Sequence, residues 1–282
     1  STQAKTLFPY TTLFRSIMWR AIQKIGNFHI HFAHRTFKWS NEAKGKAAVY
    51  CVIVCFAESQ PNSPIIFEYE SVNSEPLAVI AKQINAYLVD AAWVLLNNRS
   101  TNPFGAPEMM YGSKPTDGGH FLLDDQEKAE LLQQESAAAK FVKPFIGAHE
   151  YLHNENRWVI WLVGATPAEI NALPKIKERV QAVDAFRKAS KAATTRNYPY
   201  PTLFRQVTQP KNSYVLIPGH TSENRAYIPF GFFSADTIVG NSCFSLPEAT
   251  LFHYGVIQSG MHMAWGRATC GRLESRYRYS KD

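Results

Sequence analysis

The chain has 282 residues and a formal net charge of +7. With 45% hydrophobic and 19% charged residues, its composition is that of a globular protein and excludes a disordered or fibrous one. The longest apolar run, Ala47–Ala57, is too short to cross a membrane, and four scattered cysteines without a Cys-x-x-Cys pair argue against a disulfide scaffold or a zinc knuckle. We therefore expect a cytoplasmic protein of one large or two medium domains.

The first hundred residues contain one predicted helix and two predicted strands. Met18–Ile25 is predicted to be the end of an amphipathic helix that stops at Gly26. His29–Phe32 and Ala47–Phe56 are predicted strands, and the nearly continuous apolar character of the second predicts burial on both faces. The connecting segment Ala33–Lys46 is predicted to be a loop.

After a boundary at Asn97–Pro107, helices alternate with short strands. Thr166, Pro167 and Glu169 have the spacing of a helix cap, a first-turn proline and an acidic first turn. The longer predicted helices are Gln126–Phe141, Lys175–Ala193 and Ala249–Arg272. The predicted strands are Arg157–Val163, Ser213–Pro218, Ala226–Phe233 and Ser242–Leu246. The residues predicted to face inward on the last two helices are Ile176, Val180, Val183 and Phe186, then Leu251, Val256, Met263 and Ala264.

The positive charge is concentrated between Leu173 and Arg225. This segment has ten basic residues against three acidic ones, a net charge equal to the excess of the whole chain. Cations next to tyrosines are what binding to a nucleic-acid backbone requires, although a solvated helix face followed by loops has the same pattern. The candidate DNA-binding residues are Arg187, Lys191, Arg196 and Arg225.

Three short motifs suggest other chemistry, each weakly. His149, Glu150 and His153 have the His-Glu-x-x-His spacing of zinc proteases, which would make the protein a small hydrolase. That reading needs a helix and a third ligand, whereas the flanking residues predict a turn. His29, His31 and His34 could suggest a metal site, but no carboxylate or cysteine is placed near them in the sequence. Asn102-Pro103-Phe104 resembles part of a methyltransferase motif but is predicted to be a turn.

Six stretches together resemble the later part of MmeI-type DNA methyltransferases, and they cover nearly all of Ile17–Ser280 in order. These stretches are HFAHRTFKWSNEAKGKAAVYCVIVCF (31–56), YGSKPTDGGHFLL (111–123), AAAKFVKPFIGAHEYL (137–152), RWVIWLV (157–163), SENRAYIPFGFF (222–233) and MHMAWGRATCGRLESRYRYS (261–280). Members of this family join an adenine-N6 methylase, which uses S-adenosylmethionine, to a target recognition domain. Many also carry a nuclease and act as single-chain restriction-modification enzymes.

The resemblance implies a mixed α/β (α+β) fold. It makes His29–Phe56 the last two strands of a Rossmann-like methylase sheet, paired antiparallel at its edge. We expect residues 17–108 to be the end of a methyltransferase domain plus a linker, 109–248 the target recognition domain, and 249–282 the start of a closing helical segment. Residues 7–16 look like a translated sequencing adapter, so we expect residues 1–16 to be an artefact and the chain to be a fragment.

The resemblance also implies roles for a few residues. A base that is swung out of the duplex needs aromatic or apolar faces, and Phe37 or Trp39 could supply one, or could merely plug the sheet edge. The cofactor glycine motif and the Asn-Pro-Pro-aromatic motif lie upstream in whole members and are absent from this sequence. We therefore expect no catalytic, cofactor-binding or metal-binding residue in this chain and no methyl transfer by it alone.

The expected partners are double-stranded DNA and the N-terminal methylase, with or without a nuclease, of the same prokaryotic polypeptide; no membrane is expected. The competing hypothesis is a stand-alone DNA-binding specificity module without catalytic ancestry. The predicted hairpin Ile30–Phe56 favours the methyltransferase, because a pure specificity module has no need of it.

Overall fold

The computed structural model describes residues 12–39, 49–71, 73–97, 105–222, 224–273 and 276–279. The helices among them are α1 (Thr12–Ile25), α2 (Asp125–Gln134), α3 (Ala148–His153), α4 (Pro167–Asn171), α5 (Pro174–Lys188), α6 (Ala193–Arg196), α7 (Leu251–Ile257) and α8 (Gly260–Thr269). The strands are β1 (His29–Trp39), β2 (Val49–Ala57), β3 (Ile65–Glu68), β4 (Leu77–Ile80), β5 (Met110–Tyr111), β6 (Leu122–Leu123), β7 (Val142–Ile146), β8 (Trp158–Ile160), β9 (Tyr214–Pro218), β10 (His220–Thr221), β11 (Gly231–Phe233), β12 (Ile238–Val239), β13 (Cys243–Pro247), β14 (Gly271–Leu273) and β15 (Arg276–Arg278). No helix in these ranges is long and apolar enough to cross a membrane.

The N-terminal part is a four-stranded sheet in the order β2-β1-β3-β4. The antiparallel pairing of β1 with β2 confirms the predicted hairpin. The hairpin does not hold the last strands of the sheet, however, because β3 joins β1 in parallel and β4 then pairs with β3. The prediction that the second strand is buried on both faces is also wrong, since Ile53 and Phe56 are exposed.

Helix α1 packs on this sheet through Trp19, which is fully buried next to Ile30 and Ile66. The helix ends at Ile25 before Gly26, as predicted. It starts inside the stretch that resembles an adapter. Arg15 lies 5.0 Å from the centre of the Tyr87 ring. The last residues of that stretch are therefore part of the fold described here.

Two further four-stranded sheets, β12-β7-β8-β6 and β11-β9-β13-β5, form the centre of the part that follows residue 105. They meet at Gly112 and Gly240, where backbones approach so closely that a Cβ at Gly112 would collide with the Gly240 carbonyl. Helices α2 and α5 border the first of these sheets, and their buried side chains Leu131 and Ile176 share a core with Val159.

Several predicted element boundaries are wrong, and side chains explain two of them. The helix predicted over Gln126–Phe141 ends at Gln134, and a short 3-10 helix over Ser136–Phe141 follows. At the break, the Glu135 carboxylate accepts the backbone N–H groups of Lys175 and Ile176 and so caps α5. The strands predicted over Arg157–Val163 and Ala226–Phe233 are shortened to β8 and β11.

The predicted helix over Ala249–Arg272 is two helices, because the Ser259 side chain caps α8 and starts a new one. Of the four side chains predicted to face inward there, only Met263 is buried; Leu251, Val256 and Ala264 are exposed. The segment from residue 249 onward, predicted to be helical, also contains the strands β14 and β15. Its strand β15 pairs with β10, and Tyr277 shares a core with Val215.

Candidate nucleic-acid interface

Helix α5 opens the basic segment, and most of its charge is already engaged. Lys175 pairs with Glu178, Arg179 with Glu127, and Lys188 with Asp184. Residues three and four apart face each other on a helix, so two of these pairs follow from spacing alone. The prediction that α5 runs to Ala193 is wrong, since the helix ends at Lys188.

Arg187 is buried, which contradicts its predicted place at the exposed end of the helix. Its side chain is 2% exposed, and its guanidinium donates hydrogen bonds to four backbone carbonyls. Burial lowers its pKa, but an arginine stays protonated in proteins. The prediction that Arg187 contacts a phosphate is therefore wrong for the conformation described. Phe186, predicted to face inward, is exposed instead.

The sequence contains a signal that Arg187, and not Phe186, faces the interior. Ile176, Val180 and Val183 recur at the spacing of one helix face, and the next position of that series is Arg187. Phe186 lies off that face. The prediction placed an apolar residue, Phe186, on this face of the helix and missed the charged residue Arg187 that continues it.

Lys191 and Arg196 lie in the chain that leaves α5, and both are exposed. Arg196 donates a hydrogen bond to the Ser190 carbonyl at 3.0 Å, which fixes its direction. Neither residue has a carboxylate within ion-pair distance among the described residues. Their roles in DNA binding stay predictions, and the exposure that those roles need is present.

Arg225 lies in the loop that follows β10, and it is exposed. Its backbone N–H donates to the Ser222 carbonyl, so the loop turns tightly there. Glu223, the predicted neighbour, lies outside the described residues. The positive charge of Arg225 partly offsets the effect of burial, which raises the pKa of Tyr151. Arg225 is therefore close to Tyr151 of α3.

Strand β15 adds cations that the sequence reading missed. Arg276 and Arg278 are exposed on either side of the buried Tyr277. They lie next to β10, and both lower the pKa of His220, after the larger effect of burial. Alternation of arginine with tyrosine is the period of a half-buried strand. It was overlooked because the region was predicted to be helical.

The predicted base-holding residues lie on β1 and not in a loop. Phe37 is opposite Cys51 in the β1–β2 ladder, and Trp39 is at the end of the strand. The Phe37 ring stacks on Tyr69 with centres 5.3 Å apart, so one of its faces is covered. Trp39 is 52% exposed. Of the two rings, Trp39 is the more accessible to a base.

Histidine and tyrosine hold this aromatic face in place. His34 stacks on Phe67 at 4.1 Å, and its Nδ1 lies 2.8 Å from the Tyr69 hydroxyl. Burial lowers the pKa of His34, which favours the neutral ring. His31 instead bonds to the Ser59 carbonyl. The histidines of β1 thus have partners in the protein.

The letters HEYLH form helix α3, so the predicted turn is wrong. The helix starts because the Glu150 carboxylate accepts the Gly147 backbone N–H. His149 and His153 face each other with ring centres 4.5 Å apart, and His149 contacts Glu155 at 3.2 Å. No group of three possible metal ligands occurs among the residues that the structure describes. Asn102-Pro103-Phe104 lies outside the described residues. All four cysteines are free thiols.

Comparison with known proteins gives this arrangement a family. The sequence profile described as "MmeI, target recognition domain" matches residues 90–282. The chain belongs to the MmeI family. The profile described as "MmeI, DNA-methyltransferase domain" matches residues 15–68, which include most of α1, the β1–β2 hairpin and β3. The family's recognition part and a portion of its methyltransferase domain are therefore both present.

Individual relatives agree with this assignment. DNA methyltransferase A of Bacillus subtilis (strain 168) is 34% identical over 266 residues, which are 94% of this chain and 30% of the relative. A solved structure of the Type IIL restriction-modification enzyme MmeI in complex with DNA is 42% identical, with a TM-score of 0.90. The match covers 96% of this chain and 36% of that one. The chain thus spans about a third of the length of these MmeI-family relatives.

Proposed function

We propose that this chain supplies DNA target recognition within a site-specific adenine-N6 DNA methyltransferase that uses S-adenosylmethionine. The observation that carries the proposal is the match of 96% of the chain to an enzyme solved with DNA bound. Residues 109–248 form the recognition domain in this proposal, 17–108 belong to the methyltransferase domain and its linker, and the segment from 249 onward closes the recognition domain.

The charge distribution supports the same role. Phosphate contacts position a protein on DNA, and contacts to base edges read the sequence. Lys191 and Arg196 have the exposure that phosphate contacts need, while Arg225, Arg276 and Arg278 lie around β10. Arginine in such a place suits the edges of guanine, to which it can donate two hydrogen bonds.

The aromatic face of β1 supports a link to methylation. An adenine that is swung out of the duplex is held by stacking, and Trp39 offers an open ring for it, with Phe37 behind it. A stand-alone specificity module would have no use for this face. In a full-length enzyme, alanine at the stacking residue should lower the methylation rate while duplex binding survives.

Duplex binding by the purified chain tests the proposal. Fluorescence anisotropy with a random-sequence duplex should show binding that weakens steeply with salt, because each neutralised phosphate contributes a slope of about −0.9 in log affinity against log salt. Selection from a random pool should then enrich one sequence. Absence of any duplex binding at low salt would contradict the proposal. With labelled S-adenosylmethionine, we expect no methyl transfer by this chain alone.

A further inference from the structure

The chain between α5 and β9 contains a long connecting segment with an unusual composition, which includes the short helix α6. We define residues 189–206 as the clamped loop. It contains three cations, Lys191, Arg196 and Arg205, and no aspartate or glutamate. Its returning end is fixed to a second segment of chain, because residues 205 and 206 pair with residues 114 and 115 through backbone hydrogen bonds. A loop without acidic residues suits an anionic partner.

Arg187 closes the base of this loop from inside the protein. Its guanidinium donates to the carbonyls of Pro115 and Thr116 on one side and to those of Tyr200 and Leu203 on the other. One buried side chain thus joins the clamped loop to a second segment of chain. Moving the loop away would break hydrogen bonds to a buried charged group, so the contact favours one loop conformation.

The loop is also tied within itself. The Tyr198 hydroxyl donates to the Phe204 carbonyl, and Arg205 Nε donates to the Thr194 carbonyl. Phe204 anchors the returning end, because its ring is buried against Phe121 and Trp161. The conformation is therefore formed before any ligand binds. A preformed loop loses little conformational entropy on binding.

Tyr200 is an aromatic side chain that this framework presents to solvent. It lies between Pro199 and Pro201, which restrict its backbone, and its carbonyl is held by Arg187. Its side chain is nevertheless 57% exposed. Tyrosine combines an apolar ring with a hydroxyl donor and needs few rotamers to be fixed, so it suits a contact surface.

We propose that the clamped loop is a preformed DNA-contacting element in which Tyr200 touches the sugar-phosphate backbone of duplex DNA. The hydroxyl donates to a phosphate oxygen and the ring packs on a deoxyribose, next to phosphate contacts by Lys191 and Arg196. Arg187 acts as a positioning residue that touches no DNA. This inference rests on the proposed function and adds to it the element and the residue.

The test is salt-dependent binding of a random-sequence duplex to the purified chain and its variants. Tyr200→Ala should weaken binding about tenfold, the loss expected for one hydrogen bond to a charged group. The slope against salt should not change, because tyrosine releases no counterion. Phe252→Ala removes an exposed ring on α7 and should bind like the parent chain.

Arg187→Lys tests the clamp, because lysine keeps the charge but cannot reach four carbonyls. We expect weaker duplex binding and faster trypsin cleavage after Lys191 and Arg196, with α5 still folded by circular dichroism. If Arg187→Lys is as protease-resistant as the parent, the clamp is refuted. If the parent binds DNA and Tyr200→Ala binds equally well, the inference fails while the proposed function stands. If the parent does not bind, both fail.

Discussion

Helix α5 and the clamped loop are adjacent in sequence, and both have more basic than acidic residues. They differ in how many of their cations are exposed and free of a carboxylate partner. On α5, Lys175, Arg179 and Lys188 have carboxylates within 4 Å, and Arg187 is buried. The clamped loop has no acidic residue of its own. The difference teaches that a charge counted in a sequence is available to DNA only where the fold leaves it unpaired and exposed.

The largest effect that we expect comes from the point where the two regions meet. Arg187→Met should lower the free energy of unfolding by about 3–5 kcal/mol, because the four hydrogen bonds from the buried guanidinium to backbone carbonyls are lost. Lys188→Ala removes only an exposed pair with Asp184 and should cost about 0.3–0.5 kcal/mol. Urea denaturation measures both. Equal costs would mean that the clamp contributes no special stability.

The second-largest expected effect comes from removing cations from either the clamped loop or α5 and comparing how duplex binding depends on salt. The double variant Lys191→Ala with Arg196→Ala should lower the salt slope of duplex binding by about two, one for each phosphate contact. The matched double variant Lys175→Ala with Lys188→Ala removes two ion-paired lysines of α5 and should leave the slope unchanged. The opposite result, with α5 carrying the slope, would place the DNA surface on the helix.

Arg225 extends the comparison from phosphates to bases. Arg225→Ala should relax sequence preference at one position of the recognised site, at about 1–3 kcal/mol, and leave the other positions alone. Selection from a random pool by the parent and the variant measures this. A uniform loss across all sequences would instead make Arg225 a phosphate contact like Lys191 and Arg196.

The smallest expected effect concerns an exposed pair on the same domain. The hydrogen bond from Lys140, with further ones from Thr166, lowers the pKa of Glu169 to about 2. This hydrogen bonding of the Glu169 carboxylate stabilises the fold above the pKa that Glu169 has in the unfolded chain. The stabilisation is lost as the pH falls through the pKa of Glu169 in the folded protein. The urea midpoint of Glu169→Gln should therefore differ from that of the parent at neutral pH, and the difference should vanish near pH 2. A constant difference would assign the effect to the helix cap alone; Glu130→Gln is the control.

Local features were predictable because neighbouring residues produce them. The cap formed by Thr166, Pro167 and Glu169 is confirmed, with the hydroxyl and the carboxylate each accepting from the other's backbone N–H. The hairpin between β1 and β2 and the strand β13 are also confirmed, and the apolar runs of β2 and β9 form strands as predicted. The family resemblance, carried by six stretches, is confirmed by the matching profiles.

Predicted helix ends are wrong where the contact of a single side chain decides them. Glu135 stops one helix because its carboxylate caps another helix forty residues away in sequence. The Glu135 contact depends on which segments the fold brings together, and a pattern within one segment carries no information about it. Ser259, by contrast, divides the predicted C-terminal helix through a local cap on the His262 backbone N–H, which the periodicity of apolar residues does not reveal.

By itself, the sequence determined the kinds of most elements and the region of excess positive charge, since these depend on composition, periodicity and local spacing. It also determined the family, through the six stretches that resemble MmeI-type methyltransferases. Only the tertiary structure decided which cations are available. Arg187 became a clamp because its position on the apolar face of α5 carries it into the interior, where carbonyls from two other segments satisfy it. Arg276 and Arg278 became exposed because Tyr277, between them, packs into the core and turns its neighbours outward.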